Sequence, residues 1–192
     1  MQNSKENIWQ EIINHYYAEG KLRDILLVHS RGVAQMALEV CDAHPELHLD
    51  RQFVENAAML HDIGIINCDA AGIECYGNEP YITHGRLGAE MLRRDAAIFH
   101  LSAEEVERYA RVCERHTGTG LTCKAITERN LPLPHQDFVP ETLEEQLVCY
   151  ADKFFSKTHP ERKKTIENAL RSLEKFGSEG VEQMKRWHAF FG

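Results

Sequence analysis

The sequence predicts an all-α fold in which helices pack around a single core. Apolar residues recur three and four positions apart along most of the chain, and no segment alternates apolar and polar residues over more than a few positions. The length of 192 residues and the hydrophobic fraction of 43% suit one globular domain over 1–192. No internal repeat or low-complexity segment divides it.

The apolar stripes and their end signals place the helices in chain order. The predicted ranges are 5–18, about 22–43, Asp50 to Gly64, 84–94, 102–116, 122–129, 141–156, 161–176 and 179–190. In the first range, for example, Ile8, Ile12 and Tyr16 fall on one helical face. The segments 65–82 and 130–140 contain the glycine and proline residues that favour irregular connections.

Residues that favour helix ends bound several of these ranges. Asp50, Thr83 and Ser102 are predicted N-caps, because their side-chain oxygens can accept a hydrogen bond from a main-chain N–H of the first turn. Gly20 is predicted to end the first helix, and Pro45 to stop the second.

Charge and composition exclude several classes of function. The net charge of −8 argues against extended nucleic-acid or anionic-membrane binding, because like charges repel. No apolar run approaches the roughly 18 residues of a membrane span, and no secretory signal is visible. The six cysteines form no C-x-x-C pair, which is typical of reduced core thiols and predicts a cytoplasmic protein.

Eleven histidines are present, and some of them fall on apolar helix faces. Six ionisable residues on five predicted helices are directed at the core in this way: His29, His61, Asp62, His84, His116 and Asp152. A buried carboxylate is costly unless it is paired or bound to metal. Imidazole and carboxylate together suit Fe, Mn, Zn or Co, and two metals bridged by a carboxylate would account for six ligands.

The short sequence motifs around these residues resemble those of a known family. His61-Asp62-Ile63-Gly64 resembles the HDIG signature of the HD-domain phosphohydrolases, and the remaining candidates follow in the chain order of that family's pattern. The resemblance covers about 22–157 and implies an HD-domain helical bundle. The first helix and a C-terminal helical extension over 161–190 would be additions to that bundle.

The resemblance also implies a role for each residue. His29, His61, Asp62 and Asp152 would hold a first metal, and His84 and His116 would hold a second that Asp62 bridges. The implied cofactors are two divalent ions from among Fe, Mn, Zn, Co and Mg. Asp62, His84 and His116 would be catalytic, because they would hold the metals whose bridging hydroxide attacks phosphorus.

The expected substrate is a small phosphate compound, a nucleotide by preference. Arginine and lysine side chains near the ligands would bind its phosphate, and the selected candidates are Lys153, Arg115 and Arg86. The metals would supply positive charge locally, so an acidic chain can still take an anion. Exposure of Phe190 and Phe191 would indicate a homodimer contact.

Two alternatives stay open at the level of sequence. Some HD-fold proteins bind two irons with the same ligands and activate dioxygen, so an oxygenase is one of them. The other is a non-catalytic regulatory module that binds metal or nucleotide. The complete set of six ligands argues against lost activity, and so against the regulatory module, but it does not separate the hydrolase from the oxygenase. The hydrolase is the function that the family resemblance implies.

Overall fold

The computed structural model describes residues 7–192, apart from the side chain of Phe176. Residues 5 and 6, at the start of the first predicted helix, lie outside the described residues. The α-helices within the described residues are α1 (Ile8–Tyr16), α2 (Lys21–Ala43), α3 (Arg51–Leu60), α4 (His84–Asp95), α5 (Ala103–Arg115), α6 (Cys123–Glu128), α7 (Leu143–Asp152), α8 (Ile166–Leu173) and α9 (Ser178–Phe191). The all-α prediction is confirmed.

Helices α2 to α5 and α7 form the core of the bundle. Helix α2 packs along α3 and α7, and α4 packs along α5. Helix α1 contacts α3 and buries Ile12 and Ile13 completely, while α8 and α9 contact each other and α9 contacts α7. The apolar stripes therefore point where the helical period places them, towards one shared core.

The connection at 65–82 contains a small sheet that the sequence does not predict. Strand β1 (Cys68–Ala70) pairs antiparallel with β2 (Cys75–Tyr76) and parallel with β3 (Glu79–Pro80). Strands of two or three residues are too short to show a period of two, so their sequence gives no alternation to detect. Short 3-10 turns join this sheet to α3 and α4.

Helix caps agree with the prediction at Asp50 and Ser102. Asp50 accepts a hydrogen bond from the N–H of Phe53 at 3.0 Å, and Ser102 forms a reciprocal capping box with Glu105. Thr83 does not cap α4, which is a correction. Its hydroxyl donates to the carbonyl of Pro80 at 2.8 Å, because a 3-10 turn leads directly into that helix.

Several predicted helix ends also differ from the structure. Gly20 does not end α1; it precedes α2 as its N-cap, at φ 153°, and α1 has already ended at Tyr16. Helix α3 ends at Leu60, α7 ends at Asp152, and α8 begins only at Ile166. Helix ends depend on local turns that apolar periodicity does not report.

A buried ion-pair network joins α5 to α7. Glu145 is 4% exposed, and one of its carboxylate oxygens accepts a hydrogen bond from Arg111 Nε at 2.8 Å. Its other oxygen accepts from the main-chain N–H of Glu141 at 2.7 Å and from Arg115 Nη1 at 3.3 Å. The network fixes the ends of the two helices that carry His116 and Asp152. No helix of the described residues combines the length and the apolar character needed to cross a bilayer.

Candidate metal centre

The six predicted ligands come together at one place in the core. His29 lies inside α2, His61 and Asp62 follow α3 directly, and His84 begins α4. His116 follows the last residue of α5, and Asp152 is the last residue of α7. Each of the six is between 0% and 7% exposed. Several helix ends therefore aim imidazole and carboxylate groups at a common point away from bulk water.

Asp62 divides the cluster into two groups. Its Oδ2 lies 3.0 Å from Nε2 of both His29 and His61, and Asp152 Oδ1 lies 3.1 and 3.4 Å from the same two nitrogens. Its Oδ1 lies 3.3 Å from Nε2 of both His84 and His116. In each group the candidate ligand atoms lie within 4.8 Å of one another. One carboxylate is thus shared by two sets of donors.

Main-chain carbonyls orient three of the imidazoles. Nδ1 of His61, His84 and His116 lies 2.6, 2.7 and 2.6 Å from the carbonyl oxygen of the residue three positions earlier. A carbonyl can only accept, so Nδ1 carries the hydrogen and donates it. In the neutral ring, Nε2 then presents a lone pair to the cluster, which is the usual arrangement of metal-binding histidines.

The surroundings of the cluster keep its carboxylates ionised. Burial acts to lower the pKa of His61, but the Asp62 and Asp152 carboxylates outweigh it and raise that pKa to about 9. Burial lowers the pKa of His116 to about 4, despite the Asp62 carboxylate. Burial acts to raise the pKa of Asp62, and His61 and Lys157 more than offset it, so this pKa stays well below its usual range. The carboxylates of Asp62 and Asp152 thus remain ionised, which is the form that binds metal.

The donor set fits divalent metal. Asp62 Oδ1 accepts no hydrogen bond of ordinary geometry from the described residues, although Nε2 of His84 and of His116 lies 3.3 Å away, and the Lys157 ammonium faces only Oδ2. A fully buried carboxylate oxygen without a hydrogen bond is costly unless it binds a cation, so Oδ1 suits a metal ligand. Four imidazoles with two carboxylates are ligands that Fe, Mn, Zn and Co accept.

Two glycines allow the helix ends to come this close. A Cβ atom on Gly64 would lie 2.0 Å from the carbonyl oxygen of His84 and 2.4 Å from the nitrogen of Gly88. A Cβ atom on Gly85 would lie 2.4 Å from the carbonyl oxygen of Cys113. Only glycine leaves room for such backbone contacts. Gly64 in the HDIG motif therefore allows α4 to pack against the end of α3, which places His84 beside Asp62.

A cavity of about 490 Å³ opens onto the ligands. His84, His116 and Asp152 line its inner end, and the connection at 65–82 contributes Tyr81. This volume lies within the range of small-molecule sites. Four lysines also line the cavity: Lys153, Lys157, Lys164 and Lys175.

Of the predicted phosphate-binding residues, the structure brings only Lys153 to the cavity. Lys153 Nζ lies 2.5 Å from Asp152 Oδ2 and donates to the carbonyl of His116 at 3.0 Å. Arg86 pairs with Glu90 along α4, and neither it nor Arg115 is among the residues that line the cavity. Arg86 comes two positions after His84, which turns it to another face of the helix.

Sequence reasoning missed Lys157, whose Nζ lies 2.6 Å from Asp62 Oδ2 and 5.9 Å from the centre of the Tyr81 ring. It comes five residues after Asp152, beyond the end of α7, so no helical period connects the two. A usable signal was present, because the basic residues clustered over 153–164 stand out in an acidic chain.

Comparisons with known proteins identify relatives of two kinds. A tRNA (cytidine(56)-2'-O)-methyltransferase of Picrophilus torridus is 33% identical over 133 residues, which cover 69% of this chain and 32% of that protein. One of Thermoplasma volcanium is 27% identical over 168 residues, which cover 87% of this chain and 42% of that protein. The chain therefore spans less than half the length of these two. An uncharacterized protein of Methanocaldococcus jannaschii is 31% identical over 160 residues, covering 82% of this chain and 80% of that one.

Solved structures show the same fold at low identity. The HD domain of the phosphodiesterase PgpH from L. monocytogenes superposes with a TM-score of 0.52 at 14% identity, covering 94% of each chain. The same domain in complex with cyclic-di-AMP gives a TM-score of 0.51 at 14% identity, covering 94% of this chain and 93% of that one. The HD domain family model matches residues 26–156, the part that carries all six candidate ligands. This chain belongs to the HD domain family.

Proposed function

We propose that this protein is a metal-dependent phosphohydrolase that cleaves a phosphoester or phosphoanhydride of a nucleotide or a small phosphorylated metabolite. The observation that carries the proposal is the pairing of two features in one cavity. Two donor groups share Asp62 at its inner end, and four lysines line the same space. The first feature suits a pair of metals, and the second suits the phosphate of a substrate.

Each ligand has a proposed assignment. His29, His61 and Asp152 would hold one ion, His84 and His116 would hold the other, and Asp62 would hold both. Two divalent ions, when bound, lower the pKa of a shared water towards neutrality and supply positive charge at the phosphoryl oxygens. Main-chain carbonyls accept the Nδ1 hydrogens of His61, His84 and His116, so Nε2 is the nitrogen of each neutral ring that would bind metal.

Lys153 and Lys157 act on the carboxylates and on the substrate. Each ammonium lies beside one ligand carboxylate and also lines the cavity. Each therefore orients that carboxylate and keeps it ionised. Each also presents further N–H donors to the oxygens of a phosphoryl group, where negative charge is carried during hydrolysis.

A nucleotide is the proposed partner, in a cytoplasmic protein. The structural neighbour PgpH was solved with cyclic-di-AMP, which supports a nucleotide partner. The six cysteines here are all free thiols, which supports a cytoplasmic protein.

The single domain over 1–192 and the C-terminal helical extension over 161–190 stay proposals. The homodimer proposal has support from Phe190, which is 48% exposed, but not from Phe191, which is 2% exposed.

The names of the archaeal relatives extend the range of substrates to test. They associate a partly matching chain with tRNA, so a tRNA with a terminal phosphate belongs in the substrate panel. The lysine-lined cavity favours an anionic phosphate substrate over the oxygenase alternative, since dioxygen itself needs no cationic binding groups.

The test is phosphate release with a panel of nucleotides, sugar phosphates and phosphorylated tRNA in the presence of Mn, Fe, Co, Zn or Mg. Turnover with at least one metal, lost in Asp62→Asn, is the expected result. Oxygen uptake with iron and no phosphate release would instead establish the oxygenase. Metal binding without either reaction would establish the regulatory module.

A further inference from the structure

The cavity wall extends beyond the part of the chain that matches the family. The match ends at residue 156, whereas Lys157, Lys164, Leu173 and Lys175 also line the cavity. The segment from Phe154 to Lys164 closes on itself, because the N–H of Lys164 donates to the carbonyl of Phe154 at 2.7 Å. This loop, the end of α8 and the turn after it form an outer wall beyond the part that matches the family.

The four lysines fall into an inner and an outer pair. Lys153 and Lys157 each contact a ligand carboxylate, Asp152 and Asp62 respectively. Lys164 is different, because its ammonium forms no ion pair with a carboxylate of the described residues. Lys175 lines the same outer end, near the surface.

The Lys164 ammonium has few contacts with the described residues. Its ammonium makes one long hydrogen bond, 3.4 Å to the carbonyl oxygen of Lys153, although an ammonium has three donors. Burial lowers the pKa of Lys164; the Asp152 carboxylate acts against this, and the nearby Lys153, Lys157 and Lys175 act with it. The Asp152 and Asp62 carboxylates offset the charges of Lys153 and Lys157, whereas no ion pair of the described residues offsets that of Lys164, so its ammonium can attract an anion in the cavity.

We infer that Lys164 and Lys175 form a second phosphate subsite, so that the protein takes substrates with at least two adjacent phosphate groups. The inference rests on the proposed function for the first subsite: the reacting phosphate lies at the metal ligands with Lys153 and Lys157, and its neighbour lies on Lys164 and Lys175. A ligand with one phosphate fills the inner end only. The substrate class is therefore a nucleoside diphosphate, a longer polyphosphate or another diphosphate ester.

The second phosphate subsite can be tested by binding alone, with phosphonates that cannot be hydrolysed. Methylenediphosphonate carries two linked phosphonate groups, and methylphosphonate carries one. Calorimetric titration of the full chain, as purified, gives the ratio of their affinities. Lys164→Gln is expected to weaken methylenediphosphonate about five- to tenfold and to change methylphosphonate by less than about twofold, because one charge-assisted contact is lost.

Two further variants control the experiment. Lys163→Gln removes the same charge one position earlier from an exposed side chain that does not line the cavity, and it should leave both affinities unchanged. Lys164→Arg keeps the positive charge and should restore most of the affinity for methylenediphosphonate. Together they separate a subsite from a general loss of charge or of folding.

Three results would overturn the subsite: equal affinity of the unmodified protein for both phosphonates, equal weakening of both by Lys164→Gln, or the same effect from Lys163→Gln. The proposed function fails by a different readout, which is the absence of phosphate release from every substrate with every metal. Selective binding of methylenediphosphonate without turnover would keep the subsite and reject the hydrolase. Turnover without selective binding of methylenediphosphonate would keep the hydrolase and reject the subsite.

Discussion

Replacing Gly64 by alanine should separate α4 from the end of α3. The added Cβ would lie 2.0 Å from the carbonyl oxygen of His84 and 2.4 Å from the nitrogen of Gly88, whereas ordinary contacts begin at 3.4 Å. The first overlap is therefore about 1.4 Å, and both neighbouring atoms belong to the backbone, which cannot rotate away. The start of α4 must move by about that distance, and His84 moves with it.

The expected cost is at the upper end of the range for overpacking, about 3 kcal/mol of unfolding free energy. For a chain of this size that corresponds to a melting temperature lower by about 6–12 °C. Urea denaturation gives the free energy, and metal analysis of the folded fraction gives a second readout. The group of Asp62, His84 and His116 should lose its ion, while His29, His61 and Asp152 keep theirs.

Two other glycines provide a matched series. A Cβ on Gly88 would lie 3.1 Å from the nitrogen of Gly64, so Gly88→Ala should cost less than Gly64→Ala. A Cβ on Gly72 would meet nothing within 4 Å, so Gly72→Ala should stay within about 0.5 kcal/mol of the original protein. Equal stability and unchanged metal content in Gly64→Ala would refute the close approach as the cause of the ligand geometry.

Three further perturbations test the site and its support. Lys157→Gln removes the ammonium that lies 2.6 Å from Asp62 Oδ2, and kcat/KM for a phosphate substrate should fall about ten- to hundredfold with the metal content retained; an unchanged kcat/KM would exclude the role of Lys157. In the metal-free protein, burial acts to lower the pKa of His61, but Asp62 and Asp152 raise it from 6.5 to about 9, so the folded protein holds a proton that the unfolded chain has lost. That stabilisation is present below pH 6.5 and is lost as the pH rises towards about 9, so the unfolding free energy in urea should fall over this window, and the fall should shrink in His61→Gln. Glu145→Gln breaks the buried contact to Arg111 and should cost about 1–3 kcal/mol in urea denaturation, whereas Glu182→Gln, in an exposed pair with Lys185, should cost less than about 0.5 kcal/mol; similar costs for the two would contradict the importance of the α5–α7 network.

The sequence predicts the helices and the ligands well, because both leave regular marks in it. Helical spacing places His29 between Ile25 and Val33 on an apolar face, and the structure leaves it 1% exposed. The caps at Asp50 and Ser102 are local features, which short-range rules capture. Ionisable residues on apolar faces indicate the cluster even before its geometry is known.

Other features depend on contacts between distant segments. Arg86 lies two positions from a ligand and Lys153 one position, yet only Lys153 lines the cavity, because the turn after α7 faces the ligands and the outer face of α4 does not. Lys157 and Lys164 reach the cavity through a loop without periodicity. The overlap at Gly64 involves α4, more than 20 residues later, so sequence alone does not explain why glycine stands there.

The central claim is that Asp62 joins two metal ions, and metal analysis of the protein tests it most directly. Protein purified without added metal, and then loaded with Mn or Fe and desalted, should hold two equivalents of metal per chain. His84→Ala should hold one equivalent, because the group of His29, His61, Asp62 and Asp152 remains intact. One equivalent or less in the unmodified protein after loading would contradict the account.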